Sequence, residues 1–224
     1  MKYLQIYNGI QPVNSSNKEE VRVFIKNSSI IDLLYLLRKE KGNKINITVL
    51  DHACYKEPAP YFLRGARGIE EDLCANSELY NILTSEEMSL YFKYNKKHLN
   101  KGIYLDRGFY ISEAIFNNGY TFNIIGATAP NKKNGCTQYH KFTEEENYEA
   151  LKNRIDFILS IASINNTDIF VMSSFGCNVY GQDILDVSSI LKELLETKYK
   201  YCFKEIYITD EKDDYYKVWE KVFG

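Results

Sequence analysis

Apolar and polar positions along this chain follow two periods, and the switches between them outline alternating strands and helices. Val21-Arg22-Val23-Phe24-Ile25 is β-branched and alternating, as in a strand. Ser29 and Asp32 then have the spacing of a helix cap, and Ile30, Leu33, Leu34 and Leu37 form one apolar stripe reaching Lys41-Gly42. A strand is predicted over 45–50. A helix follows from about Gly68 to Leu83, with Ile69, Leu73, Tyr80 and Leu83 on its core face. Residues 85–101 are polar and rich in Tyr and Lys, and are expected to form a surface excursion. Alternation from Ile103 to Ile111 and the apolar run Thr121–Ala127 predict two further strands. Thr143-Glu144-Glu145-Glu146 matches a capping box and opens a helix with Tyr148, Leu151, Ile155, Ile158 and Ala162 inward. Asp168–Ser173 is a buried-type strand. Ile184, Val187, Leu191 and Leu194 mark another helix, Glu205–Thr209 a last strand and Tyr215–Phe223 a closing helix.

Strands alternating with helices of this length imply an α/β fold, with a mostly parallel sheet covered on both faces. No Gly/Ser tract or proline-rich linker interrupts the 224 residues, so one domain spanning 1–224 is expected. In such folds ligands bind at loops beyond the carboxyl ends of strands, and the loops 51–68 and 174–183 fall there.

Composition narrows the chemistry. Hydrophobic residues make up 45% and charged residues 26%, enough for a core and ordinary for a water-facing surface. A formal net charge of −2 gives no overall attraction to nucleic acid or anionic lipid, and no sequence-specific nucleic-acid binding is expected. Five widely spaced cysteines without a Cys-x-x-Cys pair, and only three histidines, argue against a zinc site. The cysteine usage, the absence of a signal-peptide core and the absence of a membrane-length apolar run point to the cytoplasm.

Two stretches carry candidate chemistry. In Gly65-Ala66-Arg67-Gly68-Ile69-Glu70-Glu71-Asp72-Leu73-Cys74-Ala75-Asn76-Ser77-Glu78-Leu79-Tyr80, two adjacent carboxylates sit where a glycine-containing loop passes into a helix. Glu70 and Glu71 lie about 100° apart around the axis, so only one can point squarely into a given site. Acidic residues are also favoured in any first helical turn by the dipole alone. The second stretch, Ser174-Phe175-Gly176-Cys177-Asn178-Val179-Tyr180-Gly181-Gln182-Asp183, follows a strand. Its glycines could bring backbone amides close to an anion, or it could be an ordinary β–α turn. Asp51-His52 follows the strand and could reach the site, although a solvated strand end is the favoured reading; His140 reads as a surface residue and Cys177 as packing. Among the closing aromatics, Tyr216, Trp219 and Phe223 have the spacing of core positions.

Together with Ala127-Thr128-Ala129-Pro130-Asn131, these stretches resemble the microbial-type poly(ADP-ribose) glycohydrolases of the macrodomain superfamily, in family order over roughly residues 20–210. In that family three consecutive glycines precede a Gln-Glu-Glu triplet by six to eight residues, and a glycine-rich loop wraps the substrate's diphosphate. The resemblance implies a macrodomain-like α/β/α sandwich with a mixed, mostly parallel sheet. It implies ADP-ribose or an ADP-ribosylated substrate as ligand, and neither cofactor nor metal. It assigns the general acid/base role to Glu71 and contact with the distal ribose to Glu70. It places the ligand against Phe62, Ser174, Phe175, Gly176, Cys177, Asn178, Val179, Tyr180 and Gly181, with Tyr180 over the distal ribose.

The chain departs from the family at its cradle. Ala59-Pro60-Tyr61 stands in place of the three glycines, Ile69 in place of the glutamine, and Asn178 in place of a glycine of the diphosphate loop. Proline fixes φ and removes a donor, and Tyr61 adds bulk. The acid is retained while its surroundings are remodelled. Two functions stay open from the sequence: a glycohydrolase cleaving an O-glycosidic bond at the distal ribose, or a catalytically silent module that binds or sequesters ADP-ribose or an NAD-derived signal.

Overall fold

A computed structural model describes residues 3–15 and 17–224. Seven strands form one sheet in the order β1-β4-β5-β3-β6-β7-β2. Five of them run β5 (Thr121–Ala127), β3 (Ile47–His52), β6 (Ile169–Met172), β7 (Glu205–Thr209) and β2 (Arg22–Lys26), all paired in parallel. β4 (Arg107–Ile115) and β1 (Leu4–Asn8) add an antiparallel edge. Alternation sorts each central strand between two cores: Val49, Ile124, Val171 and Tyr207 face one side, Leu50, Ile125, Phe170 and Ile206 the other. The first side is covered by α1 (Ile30–Lys41), α2 (Ile69–Asn76), α3 (Leu79–Leu83) and α4 (Glu86–Lys97). The second is covered by α5 (Glu144–Ile164), α6 (Ile184–Glu196) and α7 (Asp213–Phe223). This is the expected α/β/α sandwich with a mixed, mostly parallel sheet.

Local rules set most of the boundaries. Ser29 Oγ accepts from the Asp32 amide at the start of α1, and Gly42 (φ 77°) ends that helix. Thr143 and Glu146 form the reciprocal capping box of α5.

Five elements differ from the sequence pattern. The helix expected to run from Gly68 to Leu83 stops at Asn76. Ser77 is extended, its hydroxyl donates to the Leu73 carbonyl and accepts from the Leu79 amide, and it makes a bridge to Phe116. Residues 86–97 are helical, not a surface excursion: Ser85 caps α4, and Met88, Tyr91, Phe92 and Asn95 are buried at helical spacing among its lysines. β4 begins at Arg107, because Tyr104 has φ 64° and stacks on Tyr55 at 4.3 Å instead of continuing a strand. β1 had no counterpart in the pattern. In α7, Trp219 is fully buried, but the Tyr216 hydroxyl bonds Glu220 on the exposed side, and Tyr215 packs toward the core.

Candidate functional site

The carboxyl ends of β3, β6 and β7 lie side by side, so the loops leaving them converge. Between them opens a cleft of about 420 Å³, within the range of small-molecule sites. One wall is the loop after β3 with the start of α2; the other is the loop after β6, and Lys212 before α7 closes a corner.

The acidic wall is built on Gly68 and Glu70. Gly68 precedes α2, and a Cβ there would stand 2.7 Å from Glu71 Oε2, so the half-buried Glu71 carboxylate lies across the bare glycine at the cleft surface. Glu70, one residue earlier, turns beneath it and is 5% exposed. Glu70 Oε1 accepts from the Cys54 amide at 3.2 Å, and the Ala59 amide also bonds this carboxylate. Burial, opposed by those amides and assisted by Glu71, raises the Glu70 carboxyl to about 8. Ala59 is buried with φ 36°, a left-handed conformation unusual for a side chain, at the first position of the resembled glycine triplet. Pro60 and Tyr61 then form part of the cleft rim.

The opposite wall is clamped. Asp210, just past β7, accepts from the Ser174 amide (3.1 Å), the Ser174 hydroxyl (3.0 Å) and Trp219 Nε1 (2.9 Å). Gly176 has φ 77°, and a Cβ on it would meet the Ala129 Cβ at 2.5 Å. Gln182 Nε2 donates to the Pro130 carbonyl at 2.7 Å and exchanges hydrogen bonds with Asn147. The Tyr180 carbonyl accepts from the Lys133 amide. Lys212 Nζ donates to Asn178 Oδ1 across the corner.

The cleft brings together Glu70 and Glu71 with Ser174, Phe175, Gly176, Asn178, Val179 and Tyr180. Three residues of the expected ligand set lie outside its lining. Phe62, in a 3₁₀ turn over 62–64, packs on Tyr80 with ring centroids 4.9 Å apart. Cys177 is buried behind the loop, where Tyr215 donates to its carbonyl, and burial pushes its thiol up to about 12. Gly181 (φ 71°) turns the chain against Lys133.

Some cleft residues escaped the sequence reading. Asp51-His52 is not a solvated strand end: Asp51 is fully buried, and His52 lies in the cleft lining with its ring edge-on to Phe175 at 5.3 Å. Burial lowers His52 to about 4, so its imidazole is neutral at physiological pH. Lys212 and Arg67 supply positive charge to the lining. Lys212 follows the last strand, and the strand-end rule applied to β7 would have found it. Among the described residues no group of three or more His, Cys, Asp or Glu could hold a metal ion, and no helix is long and apolar enough to cross a membrane. Chemically, the wall after β6 with Lys212 can face an anion, and the opposite wall offers carboxyls beside Arg67.

A family model for the microbial-type PARG catalytic domain matches residues 2–118, more than half of the chain. The poly(ADP-ribose) glycohydrolase of Thermomonospora curvata superposes with a TM-score of 0.83 at 18% identity, covering 98% of this chain and 85% of that one. That of Deinococcus radiodurans, solved in complex with ADP-ribose, does so with 0.83 at 22% identity, covering 98% and 92%. The Thermomonospora curvata enzyme bound to the inhibitor ADP-HPD gives 0.77 at 19% identity, covering 90% and 78%. A search of curated proteins finds no match. With the family model spanning both the strand before the acidic loop and the helix that carries Glu70 and Glu71, the chain belongs to the microbial-type PARG family.

Proposed function

We propose that this protein hydrolyses an O-glycosidic bond at the distal ribose of an ADP-ribose-containing substrate, as one domain spanning 1–224 in the cytoplasm. The observation that carries this reading is the convergence of Glu71 and the 174–180 loop on one cleft in a chain of this family. Complexes of the Deinococcus radiodurans relative with ADP-ribose support the choice of ligand.

In this reading the diphosphate lies along the clamped loop, with Lys212 and exposed amides as its partners. The distal ribose then reaches the acidic wall. Glycoside cleavage passes through an oxocarbenium-like state and needs a proton on the departing oxygen. Glu71, at the cleft surface, gives that proton and then takes one from the attacking water. Glu70 is engaged with the Cys54 and Ala59 amides, which supports a role in holding the loop against α2 alongside contact with the ribose. The left-handed Ala59 supports the same picture, because it keeps a glycine-like backbone path without the glycine.

A second reading, a silent ADP-ribose-binding module, is favoured by one observation: Pro60 and the exposed Tyr61 crowd the rim where the family has bare backbone. The two separate by experiment. Both expect ADP-ribose to stabilise the protein, by about 2.7 kcal/mol at a hundred times Kd. Only the first expects release of ADP-ribose from poly(ADP-ribose) or from mono-ADP-ribosylated protein. Stabilisation without any release leaves the binding module standing, and absence of both removes both readings.

A further inference from the structure

Several lysines of the surface hold acids: Lys152 meets Glu193, Lys198 meets Asp156 and Lys204 meets Asp168. One stretch of surface is different. Lys93 and Lys97 lie one turn apart on the exposed side of α4, about 6 Å along the axis. Lys101 follows in the 3₁₀ turn Asn100–Gly102, and Lys133 opens a π-helical turn over Lys133–Gln138. All four lysines are exposed, and none has a hydrogen bond or ion pair among the described residues. The two turns adjoin, because the Asn131 amide donates to the Gly102 carbonyl at 2.9 Å and Gly102 lies against Phe142. Nearby acids are engaged, Glu57 with Lys96, Asp106 with Arg154 and Glu144 with Lys132. Glu86 and Glu87 at the start of α4, and Glu145 at the start of α5, mark the two ends of the patch. A chain of formal charge −2 thus sets four unpaired cations on one face.

Rings lie among these charges. Tyr94 is 43% exposed and stacks on His98 at 4.0 Å; Tyr139 is 58% exposed, with the Lys141 ammonium 5.1 Å from its ring centre. The backbone is unusual at the same place: Asn100 (φ 43°), Lys101 (φ 59°) and His140 (φ 48°) are left-handed without being glycine. Strain of this kind collects where a surface holds a ligand. Unpaired cations interleaved with exposed rings fit a single strand, whose phosphates meet the cations and whose bases stack on the rings. A duplex keeps its base faces stacked away, and an acidic peptide has none.

We propose that the face formed by the carboxyl end of α4 and the 131–141 loop binds single-stranded nucleic acid, with phosphates on Lys93, Lys97, Lys101 and Lys133 and bases on Tyr94 and Tyr139. Such recognition tolerates any sequence, because every base has a face to stack. It stands whether or not the cleft is hydrolytic. A row of tyrosines joins this face to the cleft: Tyr180 of the lining meets Tyr104 at 6.2 Å, Tyr104 stacks on Tyr55, and the Tyr55 hydroxyl donates to the His98 carbonyl.

Fluorescence anisotropy of labelled single-stranded DNA and RNA of mixed sequence tests this, at salt from about 50 to 200 mM. Wild-type protein should saturate with a Kd below about 100 μM, and a duplex of the same sequence should bind more weakly. Log K should fall linearly with log salt at a slope of about −2 to −3, since each of about three or four neutralised phosphates adds about −0.7. The double variant Lys97→Gln, Lys101→Gln should bind at least about tenfold more weakly near 0.1 M salt and flatten that slope by about 1.4. Tyr139→Ala should weaken binding at least about fivefold and leave the slope unchanged. Both changes are at the surface, so the Tm and its rise with ADP-ribose should stay at the wild-type values, which separates lost binding from lost folding. Absence of saturable binding at the lowest salt overturns the proposal, as does binding that the lysine variant leaves unchanged. A duplex held as tightly as the single strand, with Tyr139→Ala silent, removes the base contacts and overturns the single-strand assignment. Tighter binding of poly(ADP-ribose) than of either oligonucleotide, lost in the same variants, overturns it in favour of that polymer.

Discussion

The loop after β6 is tied at both ends by groups that are themselves buried and satisfied, whereas the loop after β3 is fastened near its start, by Thr128 on the Ala53 carbonyl and Asn95 on the Tyr55 carbonyl, and reaches α2 through one buried carboxylate. Ser174 is held twice by Asp210, and Gln182 is held by Asn147 and Pro130. Across the cleft, the loop from 53 to 68 reaches α2 through the Cys54 and Ala59 amides on Glu70, and it contains a left-handed alanine and lies over an unpartnered acid. Every buried polar group on the first wall that the loop depends on is hydrogen-bonded, which suits a rigid cradle for a fixed anion. The second wall keeps carboxyls in an environment that disfavours their charge, which suits proton transfer and works against stability.

That contrast predicts that substitutions on the acidic wall change chemistry and substitutions on the clamped wall change folding. The largest effect is expected at Glu71→Gln, which keeps shape and removes the transferable proton. Turnover of a true substrate should fall roughly 10²–10⁴-fold, while the Kd for ADP-ribose should change much less, because the proposed pose sets the diphosphate on the other wall. Full activity in the variant would move the acid elsewhere.

Gly176→Ala tests the clamped wall. Its φ of 77° and the 2.5 Å approach to Ala129 combine backbone strain with overpacking. The expected loss is about 2–4 kcal/mol, read as a Tm drop of more than about 5 °C together with weaker ADP-ribose binding. A variant with wild-type Tm would show that this loop is looser than its hydrogen bonds imply.

Both walls were legible in the sequence to different depths. Gly176, the capping box at Thr143 and the stripe of α1 are local signals, and the chain displays them. Glu70 and Glu71 were visible as a pair, but their division of labour was not, since it depends on which carboxylate the Cys54 and Ala59 amides capture. Asp51 looked like a solvated strand end because burial at the carboxyl end of a central strand is set by the helix packed over it, here α2. Helix α4 was hidden for the opposite reason: lysines and tyrosine hydroxyls dilute its apolar stripe, and their stems and rings still pack.

A smaller effect concerns pH. Burial raises Glu70 to about 8 in the folded protein, above its unfolded value near 4.3. Stability from this group is therefore full below pH 4 and declines as pH rises toward 8. Glu70→Gln should flatten the fall in Tm between pH 5 and 8.5, a change of a few degrees by differential scanning calorimetry. An unchanged slope would mean that the two amides hold Glu70 ionised and that the acidic wall is no less settled than its counterpart.

The smallest expected effect is at Ala59. A left-handed L-residue costs about 1–2 kcal/mol in strain, and replacing it by glycine returns that strain but adds about 0.4–1 kcal/mol of unfolded-chain entropy. Ala59→Gly should therefore gain between about 0 and 1.6 kcal/mol, a Tm rise of no more than about 5 °C. The amide of residue 59 stays available to Glu70, so ADP-ribose affinity should be unchanged or slightly tighter. A clear loss of stability would mean that the alanine methyl, buried in the α1–α4 core, contributes more through packing than its backbone costs. The loop would then be a repacked element with its own side-chain core and not a glycine cradle held under strain.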